Sequence, residues 1–187
     1  MRTQLERIID PRERERAHAQ VKQVNFYSEA VRQSATFRKE YAGYLNVVKS
    51  AQMPLERSPD GLLKHIIHEK MQTKEMCLDI YMHFIPAGRR SGKHRHLSEE
   101  VFYVVEGSGY DLHWDVKFDC KDTIEFEWEA EPKKFEWTVG DFVYIPPYCA
   151  HQHFNTGTAE ARIVVMNSRI VKAMGFDWFE QLENCDY

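Results

Sequence analysis

A pair of histidines one residue apart, followed by a carboxylate, is the part of the sequence best suited to metal chemistry. His94 and His96 flank Arg95, and Glu100 follows shortly after. Because residues i and i+2 of a β-strand project from the same face, both imidazoles can reach one ion. Glu99 competes for the carboxylate role, but the alternation of the strand that follows favours Glu100.

A third imidazole is expected from residues 140–155, because a sheet that closes on itself brings distant segments together. His151 is the predicted third histidine ligand. His153 shares the strand face of His151, so it is predicted to lie behind the ligands or to contact a substrate, and a plain hydrogen bond to a neighbouring residue is the alternative. One carboxylate and neutral imidazoles suit one divalent ion per chain, and Fe(II), Mn(II), Ni(II), Co(II) and Zn(II) all remain open.

These two stretches resemble the two sequence motifs of the cupin superfamily. The first motif has a glycine, HxH, a glutamate and a second glycine at fixed spacings, and the matching positions are Gly88, His94, His96, Glu100 and Gly107. The second motif is matched by Gly140, Pro146, His151 and Asn155. Tyr148 stands where that motif has its other glycine. The resemblance covers residues 75–168 and implies an all-β fold, a double-stranded β-helix or jelly-roll barrel, preceded here by an α-helical segment.

The second motif, PPYCAHQHFN, is also similar in wording to that of the gentisate and hydroxynaphthoate dioxygenases among the cupins. This resemblance implies a non-haem Fe(II) dioxygenase that uses O2 and acts on a small aromatic or hydroxylated carboxylic acid. Glu100 or His153 would then take the substrate proton. Those enzymes commonly use three histidines without the carboxylate, whereas this chain keeps Glu100. With Glu100 bound, an octahedral ion has two open positions instead of three, which puts the substrate-binding mode in doubt.

Two other functions remain open. Cupins with four protein ligands include decarboxylases, lyases and isomerases, in which the metal acts as a Lewis acid. A cupin can also be a non-catalytic module that binds a small ligand. The substrate or ligand is expected to be anionic, because Arg89, Arg90 and Lys93 precede the histidines and are candidates for holding a carboxylate. A solvated basic loop is the alternative for these three residues.

Residues 1–53 are predicted to form the helical segment. Asp10, Pro11 and Glu13 are typical of a helix start, from which one helix is expected to run to about Val31. A second helix is expected over residues 35–48. Basic and acidic residues are interleaved here, so packing against the barrel and a partner subunit is favoured over a DNA-binding helix-turn-helix. By analogy with other cupins, a homodimer is expected.

Residues 54–172 are predicted to form the barrel, and residues 173–187 a tail that contains a short helix at 176–183. Strands of the barrel are expected at residues 63–68, 76–84 and 162–167. His83, on the second of these strands, is expected to be packed or exposed in preference to binding metal. Residues 54–61 contain two prolines and a glycine and are interpreted as a turn-rich linker.

Strict alternation of apolar and polar residues over 112–118 and 123–128 predicts a hairpin with its turn at residues 119–122. One face of this hairpin is predicted to be buried in an extended sheet. That face carries Leu112, Trp114, Val116, Phe118, Ile124, Phe126 and Trp128. A dimer contact or a lid over the barrel mouth is the alternative.

The composition excludes several classes of function. The chain has 187 residues with a formal net charge of −4 and a pI near 6.1, which argues against general nucleic-acid affinity. No apolar run approaches the ~20 residues that span a bilayer, and the N-terminal residues lack the apolar core of a signal peptide. No membrane association and a cytoplasmic location are therefore expected. The cysteines are scattered without a CxxC pair, and Cys149 is predicted to be a small buried or turn residue.

Overall fold

The computed structural model describes residues 24–74, 77–176 and 178–187, and the chain divides after Gly43 into two compact units. In the first unit, helix α1 spans Phe26–Tyr41. The second unit, residues 44–187, is built mainly from antiparallel strands. Across the described residues, every helix is too short or too polar to cross a membrane.

Helix α1 is a single element where the sequence predicted two. The predicted break after Val31 is wrong, because the Arg-Gln-Ser that follows contains neither glycine nor proline and the helix continues through it. The predicted end at residue 48 is also wrong, since the helix ends at Tyr41, just before a glycine at position 43. The part of the first predicted helix that precedes residue 24 lies outside the described residues.

Six strands form the first sheet of the second unit. In spatial order they are β1 (Leu55–Arg57), β2 (Leu62–Ile67), β3 (Leu78–Ile85), β12 (Ala161–Ser168), β5 (Glu100–Glu106) and β10 (Phe142–Ile145). All neighbours in this sheet pair antiparallel. The three predicted barrel strands are confirmed as β2, β3 and β12, although Met76, the predicted start of β3, lies outside the described residues.

Five strands form the second sheet, and two more form a separate hairpin. In spatial order the second sheet contains β13 (Phe179–Glu183), β4 (Lys93–His96), β11 (Ala150–Asn155), β6 (Ser108–Trp114) and β9 (Lys133–Thr138). The hairpin pairs β7 (Val116–Cys120) with β8 (Ile124–Trp128). The described part also contains helix α2 (Ile170–Ala173) and two short 3-10 helices (Ser50–Gln52 and Glu69–Met71).

The apolar core draws side chains from both sheets. Phe102 of β5 and Ile163 and Val165 of β12 are fully buried. Trp137 of β9 packs edge-to-face on Phe102, with 6.2 Å between the ring centroids. Full burial of one such side chain contributes about 1.5–3 kcal/mol. The core therefore joins the two sheets and holds in place the strands that carry the candidate ligands.

The inner face of β6 differs from the prediction. The expected continuous strand over residues 112–118 is interrupted after Trp114, and only β7 and β8 form the predicted hairpin. Leu112 and Trp114 are half-buried, whereas Asp111 and His113 are the buried side chains of β6. The prediction of an apolar inner face was wrong because this part of the barrel interior is polar, and polar side chains are stable there when they are hydrogen-bonded.

The predicted helix at residues 176–183 is also wrong, since residues 179–183 form strand β13; residue 177 lies outside the described residues. In β13, Phe179 lies opposite His96 and Gln181 lies opposite His94. Strand β4 is only four residues long, and its backbone groups need partners on the side away from β11. An extended segment supplies those hydrogen bonds, whereas a helix would not.

Gly109 offers a stability test of the sheet packing. A Cβ at this position would collide with the carbonyl oxygen of Phe154 and with the indole of Trp137. Gly109→Ala is therefore expected to lower the free energy of unfolding by about 2–3 kcal/mol, measured by urea denaturation. Gly157→Ala is the control, because the nearest atom to its Cβ would be a side-chain oxygen of Asn155 at 3.2 Å. An equal effect of the two changes would contradict the packing described for β6, β9 and β11.

Candidate metal centre

The four predicted metal ligands come together from β4 and β11, which pair in the second sheet, and from β5 of the first sheet. His94 and His96 point inward from β4, Glu100 begins β5, and His151 of β11 lies directly across from His94. One potential ligand atom from each of these four residues lies within 4.8 Å of all the others, and all four residues are buried. The four residues that the sequence motifs predicted to share an ion therefore lie together in the structure.

Each imidazole in the cluster has an acceptor beside its Nδ1 atom. His96 Nδ1 lies 2.8 Å from the carbonyl oxygen of Ser98, and His151 Nδ1 lies 3.1 Å from that of Cys149. His94 Nδ1 lies 3.2 Å from Oδ1 of Asp60. When Nδ1 carries the proton, the lone pair of Nε2 is available for a metal. The carbonyl contacts of His96 and His151 thus select the tautomer that a metal site requires.

Two ligand atoms in the cluster lack hydrogen-bond partners among the described residues. Glu100 Oε1 and His151 Nε2 are buried and accept or donate no hydrogen bond among the described residues. They lie 3.6 Å apart. Leaving such groups unpaired is costly, and a divalent cation would satisfy both. The residues present therefore fit a metal ion with nitrogen and carboxylate ligands, and this donor set is compatible with several first-row metals.

The protonation states of Glu100 and His151 agree with metal binding. Burial alone would raise the pKa of Glu100, but the neighbouring imidazoles of His151 and His96 lower it to about 2. Burial, together with the nearby His94, keeps the pKa of His151 well below its usual value. The carboxylate is thus ionised and the imidazole neutral at pH 7, which are the forms that bind metals.

His153 lies behind the ligand cluster. Its Nδ1 atom is 3.0 Å from both carboxylate oxygens of Asp111, and its Nε2 atom is 3.8 Å from Glu100 Oε1. Asp111 also accepts hydrogen bonds from the indole of Trp137 at 2.9 Å and from His113, whose Nε2 lies 3.3 Å away. A buried carboxylate with three donors therefore orients His153 toward Glu100.

Asp60 is a site residue that the sequence did not reveal. It follows β1 in the segment interpreted as a turn-rich linker, and its side chain lies between His94 and His83, with Oδ2 3.5 Å from His83 Nδ1. His83 is fully buried, and its Nε2 atom is 3.0 Å from the hydroxyl of Tyr187. A chain of contacts therefore runs from Tyr187 through His83 and Asp60 to His94. No motif or spacing marks Asp60, because it lies in the loop between β1 and β2 and meets His83 of β3 and His94 of β4 only in the folded chain.

A cavity of about 530 Å³ borders the cluster, and His94 and His96 form part of its wall. Its lining also includes Tyr81, Asn167 and Arg169, from β3, β12 and the residue after β12. Phe179 of β13 stacks on the ring of His94, with 5.4 Å between centroids, and is 58% exposed. The cavity is large enough for a small organic molecule and has both apolar and polar surface.

The three residues predicted to hold an anionic substrate are not among those that border this cavity. Arg90 forms an ion pair with Glu183 at 3.0 Å, and Arg89 Nη1 lies 3.9 Å from Asp186. Lys93 Nζ lies 3.5 Å from the ring centroid of Trp114. The structure thus engages them with the end of β13, with the residues that follow it and with Trp114 of β6. Their role in substrate binding stays a prediction.

Tyr148 and Cys149 precede β11. Tyr148 occupies the position of the missing glycine with a positive φ of 62°, which is strained for a residue with a side chain. Its ring packs against Trp128 and Trp178, at centroid distances of 5.2 and 5.9 Å, and this contact offsets the strain. Cys149 is buried, and burial raises the pKa of its thiol. The predicted structural role of Cys149 therefore agrees with its position.

Comparison with known proteins agrees with this geometry. A family model described as auxin binding protein matches residues 43–181. The chain belongs to the auxin binding protein family. This is a cupin family, so the predicted membership of the cupin superfamily is confirmed. An uncharacterized protein of Methanocaldococcus jannaschii is 30% identical to this family member over 107 residues, which cover 56% of the chain and 71% of that protein.

Solved cupin structures share the fold of this auxin binding protein family member. Oxalate decarboxylase of Lactobacillus farciminis, in a formate complex, matches 71% of the chain with a TM-score of 0.55 and 16% identity. Salicylate 1,2-dioxygenase of Pseudoaminobacter salicylatoxidans, with gentisate, matches 86% with a TM-score of 0.52 and 13% identity. Procruciferin, an 11S globulin of Brassica napus, matches 74% with a TM-score of 0.56 and 14% identity.

The chain spans about a third of the length of these solved proteins, at 34%, 36% and 34% respectively. At such identities the likeness concerns the fold, and two of the three proteins are enzymes while the third is a globulin. The predicted all-β jelly-roll fold is therefore confirmed, and the comparisons leave the reaction open.

Asp60 provides a test of how the cluster is oriented. Asp60→Asn removes the negative charge beside His94 Nδ1 and is expected to weaken metal affinity about 10- to 100-fold, measured by chelator competition with Co(II) or Zn(II). His96→Ala, which removes a ligand, is expected to abolish metal occupancy. Glu56→Gln is the matched control, because Glu56 also borders the cavity but contacts His65, which lies outside the cluster. Unchanged affinity in Asp60→Asn would contradict the proposed orientation of His94.

Proposed function

We propose that the protein is a metal-dependent cupin enzyme, namely a non-haem Fe(II) dioxygenase that acts on a small aromatic or hydroxylated carboxylic acid. The observation that supports this most directly is the buried cluster of His94, His96, His151 and Glu100 beside a cavity of about 530 Å³. Catalytic metal sites require such an open side, whereas structural sites are enclosed by their ligands.

The chain's own residues divide into those that hold the ion and those that surround a substrate. The four residues of the cluster would hold one divalent ion. When bound, this ion supplies Lewis acidity for a substrate oxygen and, as Fe(II), the electrons needed for reaction with O2. Phe179 presents an exposed ring at the cavity, where an aromatic substrate could stack. Tyr81 and Asn167 also line the cavity and carry hydrogen-bonding groups.

Glu100 and His153 are the groups proposed to handle a substrate proton. Glu100 Oε1 has no hydrogen-bond partner among the described residues and lies 3.8 Å from His153 Nε2. Asp111 holds the other nitrogen of His153, so the imidazole keeps its orientation toward Glu100. A proton accepted by Glu100 could therefore be shared with His153.

The position of Glu100 also supports a second candidate. Its two carboxylate oxygens lie 3.2 Å from His96 Nε2 and 3.6 Å from His151 Nε2, so it belongs to the same cluster as the imidazoles. Four protein ligands leave two positions on an octahedral ion, which a bidentate acid would fill without O2. This arrangement favours a decarboxylase, lyase or isomerase that uses the ion as a Lewis acid.

A third candidate is non-catalytic binding of a small ligand. The description of the matching family, auxin binding protein, names binding instead of a reaction. The same cavity and cluster would then capture the ligand through the ion and the surrounding side chains.

The decisive experiment combines metal analysis with a substrate screen. Protein purified without chelator is expected to contain about one divalent ion per chain, and the Fe(II) form is expected to consume O2 with phenolic or hydroxylated carboxylic acids. Turnover of such acids without O2 uptake would identify the non-oxidative class instead. Tight binding with no turnover would identify a binding module.

Glu100→Gln tests the role of the carboxylate. We expect at least a 100-fold loss of turnover, because a positioned acid or base contributes roughly 10²–10⁴ in rate. Glu99→Gln is the matched control, since the neighbouring carboxylate points toward Tyr144, with its Oε1 3.5 Å from the phenol. Full metal content and full turnover in Glu100→Gln would show that Glu100 is a bystander.

A further inference from the structure

The cavity beside the metal cluster has a second polar region, which comes from strands β1, β2 and β3. His65 of β2 and Tyr81 of β3 lie directly opposite each other, and both border the cavity. Glu56 of β1 borders it as well. These three residues lie outside the ligand cluster. We call His65, Glu56 and Tyr81 the β2 subsite.

A carboxylate fixes the tautomer of His65 in the β2 subsite. The Nε2 atom of His65 lies 2.6 Å from Oε2 of Glu56, so Nε2 carries a proton and donates it to the carboxylate. In the neutral ring Nδ1 is then an acceptor, and it has no hydrogen-bond partner in the part of the chain that the structure describes. The side chain of His65 is only 19% exposed. The β2 subsite therefore suits a ligand group that donates a hydrogen bond.

Two aromatic neighbours hold the ring of His65 in place. The ring of His68 meets it edge-on, with 5.5 Å between centroids, and the ring of Tyr81 lies 6.4 Å away. Leu63 projects from the same face of β2 and also borders the cavity. An acceptor that is held by its neighbours binds a ligand at a lower entropic cost than a mobile one.

Three strand spacings separate the β2 subsite from Glu100. In the first sheet β2 is followed by β3, β12 and β5, and a spacing of about 4.8 Å gives roughly 14 Å between the outer two of these strands. Asn167 of β12 lies opposite Glu100, and its buried Oδ1 atom has no hydrogen-bond partner among the described residues. A ligand that reaches both the metal cluster and the β2 subsite therefore carries its two polar groups at opposite ends.

The charges around the cavity set the direction of such a ligand. The carboxylate of Glu56 repels an acid group from the β2 subsite, whereas a divalent ion attracts it. Arg169 and Lys172 also border the cavity. However, Arg169 pairs with Glu69 at 2.7 Å and with Asp79 at 3.1 Å, and Lys172 pairs with Glu69 at 3.5 Å. The acid group of the ligand is therefore expected at the ion, and its other end at the β2 subsite.

We propose that the cavity binds an extended aromatic acid, with its acid group at the ion and a hydroxyl or N–H group at its other end bound to Nδ1 of His65. Glu56 is a positioning residue, because it keeps the proton of His65 on Nε2. The exposed ring of Phe179 borders the cavity between apolar and polar surface and stacks with the ring of the ligand. This inference names the substrate class of the proposed metal centre and rests on the proposed function.

Two probes that differ by one hydroxyl test the β2 subsite without turnover. Cinnamate and para-hydroxycinnamate share the acid group and the ring, and only the second carries a donor at the far end. Both are titrated calorimetrically into the Zn(II)-loaded protein, because zinc has no redox chemistry. The para-hydroxy acid is expected to bind about 10-fold more tightly, which corresponds to one hydrogen bond.

Two variants assign this preference to the β2 subsite. His65→Phe keeps an aromatic ring and removes the acceptor, so it is expected to abolish the advantage of the hydroxyl and to leave the affinity for cinnamate unchanged. Glu56→Gln is expected to reduce the advantage, because an amide pairs with either tautomer of His65. A purely structural role would instead lower the affinity for both acids. Metal affinity is expected to stay unchanged in both variants, since neither residue belongs to the ligand cluster.

His68→Phe is the matched control. His68 also borders the cavity, but its Nδ1 atom already accepts a hydrogen bond from the backbone N–H of Lys70 at 3.1 Å. This variant is expected to retain the preference for the para-hydroxy acid. Circular dichroism and metal content check that every variant is folded.

Three outcomes would overturn the proposal. The first is equal affinity of the wild-type protein for the two acids, and the second is a hydroxyl advantage that survives His65→Phe. The third is no binding of either acid to the Zn(II)-loaded protein at millimolar concentration. Metal content is measured separately, so a protein that holds zinc and fails this test contradicts the extended acid and not the metal centre.

Discussion

The antiparallel pairing of β4 with β11 is the contact on which the site depends. It sets His94 directly across from His151, and alternation within β4 then brings His96 to the same side. Both strands are short, so neighbouring elements hold them: β6 pairs along the whole of β11, and β13 pairs along β4. The outer strands β6 and β13 therefore hold β11 and β4 in register.

The ligands themselves were accessible from the sequence, because their geometry is local. Residues i and i+2 of a strand share a face whatever the rest of the fold does, and the second motif supplied His151 at a recognisable spacing. The jelly-roll class followed from the same motifs. Asp60 and Asp111 were not accessible in this way. Each reaches its histidine across strands that are distant in the chain, and no local pattern records that register.

Two structural predictions failed for reasons that can be stated physically. Trp178, Phe179 and Leu182 have a spacing compatible with a helix, but the open edge of β4 made a strand the better partner. In β6, the apolar residues were assigned to the inside because apolar side chains are usually buried. Here the inside contains imidazoles and carboxylates, and Asp111 and His113 take the inner positions while the apolar residues lie on the other face.

A chain of contacts runs from Tyr187 through His83 and Asp60 to His94. The orientation of His94 therefore depends on residues that are far apart in the sequence. These four residues belong to four different segments, and only His94 lies within a cupin motif. Sequence drift outside the motifs can therefore alter ion affinity while both signatures remain intact. Family members with identical motifs need not bind a metal equally well, and the difference would be traced to residues that a motif search does not inspect.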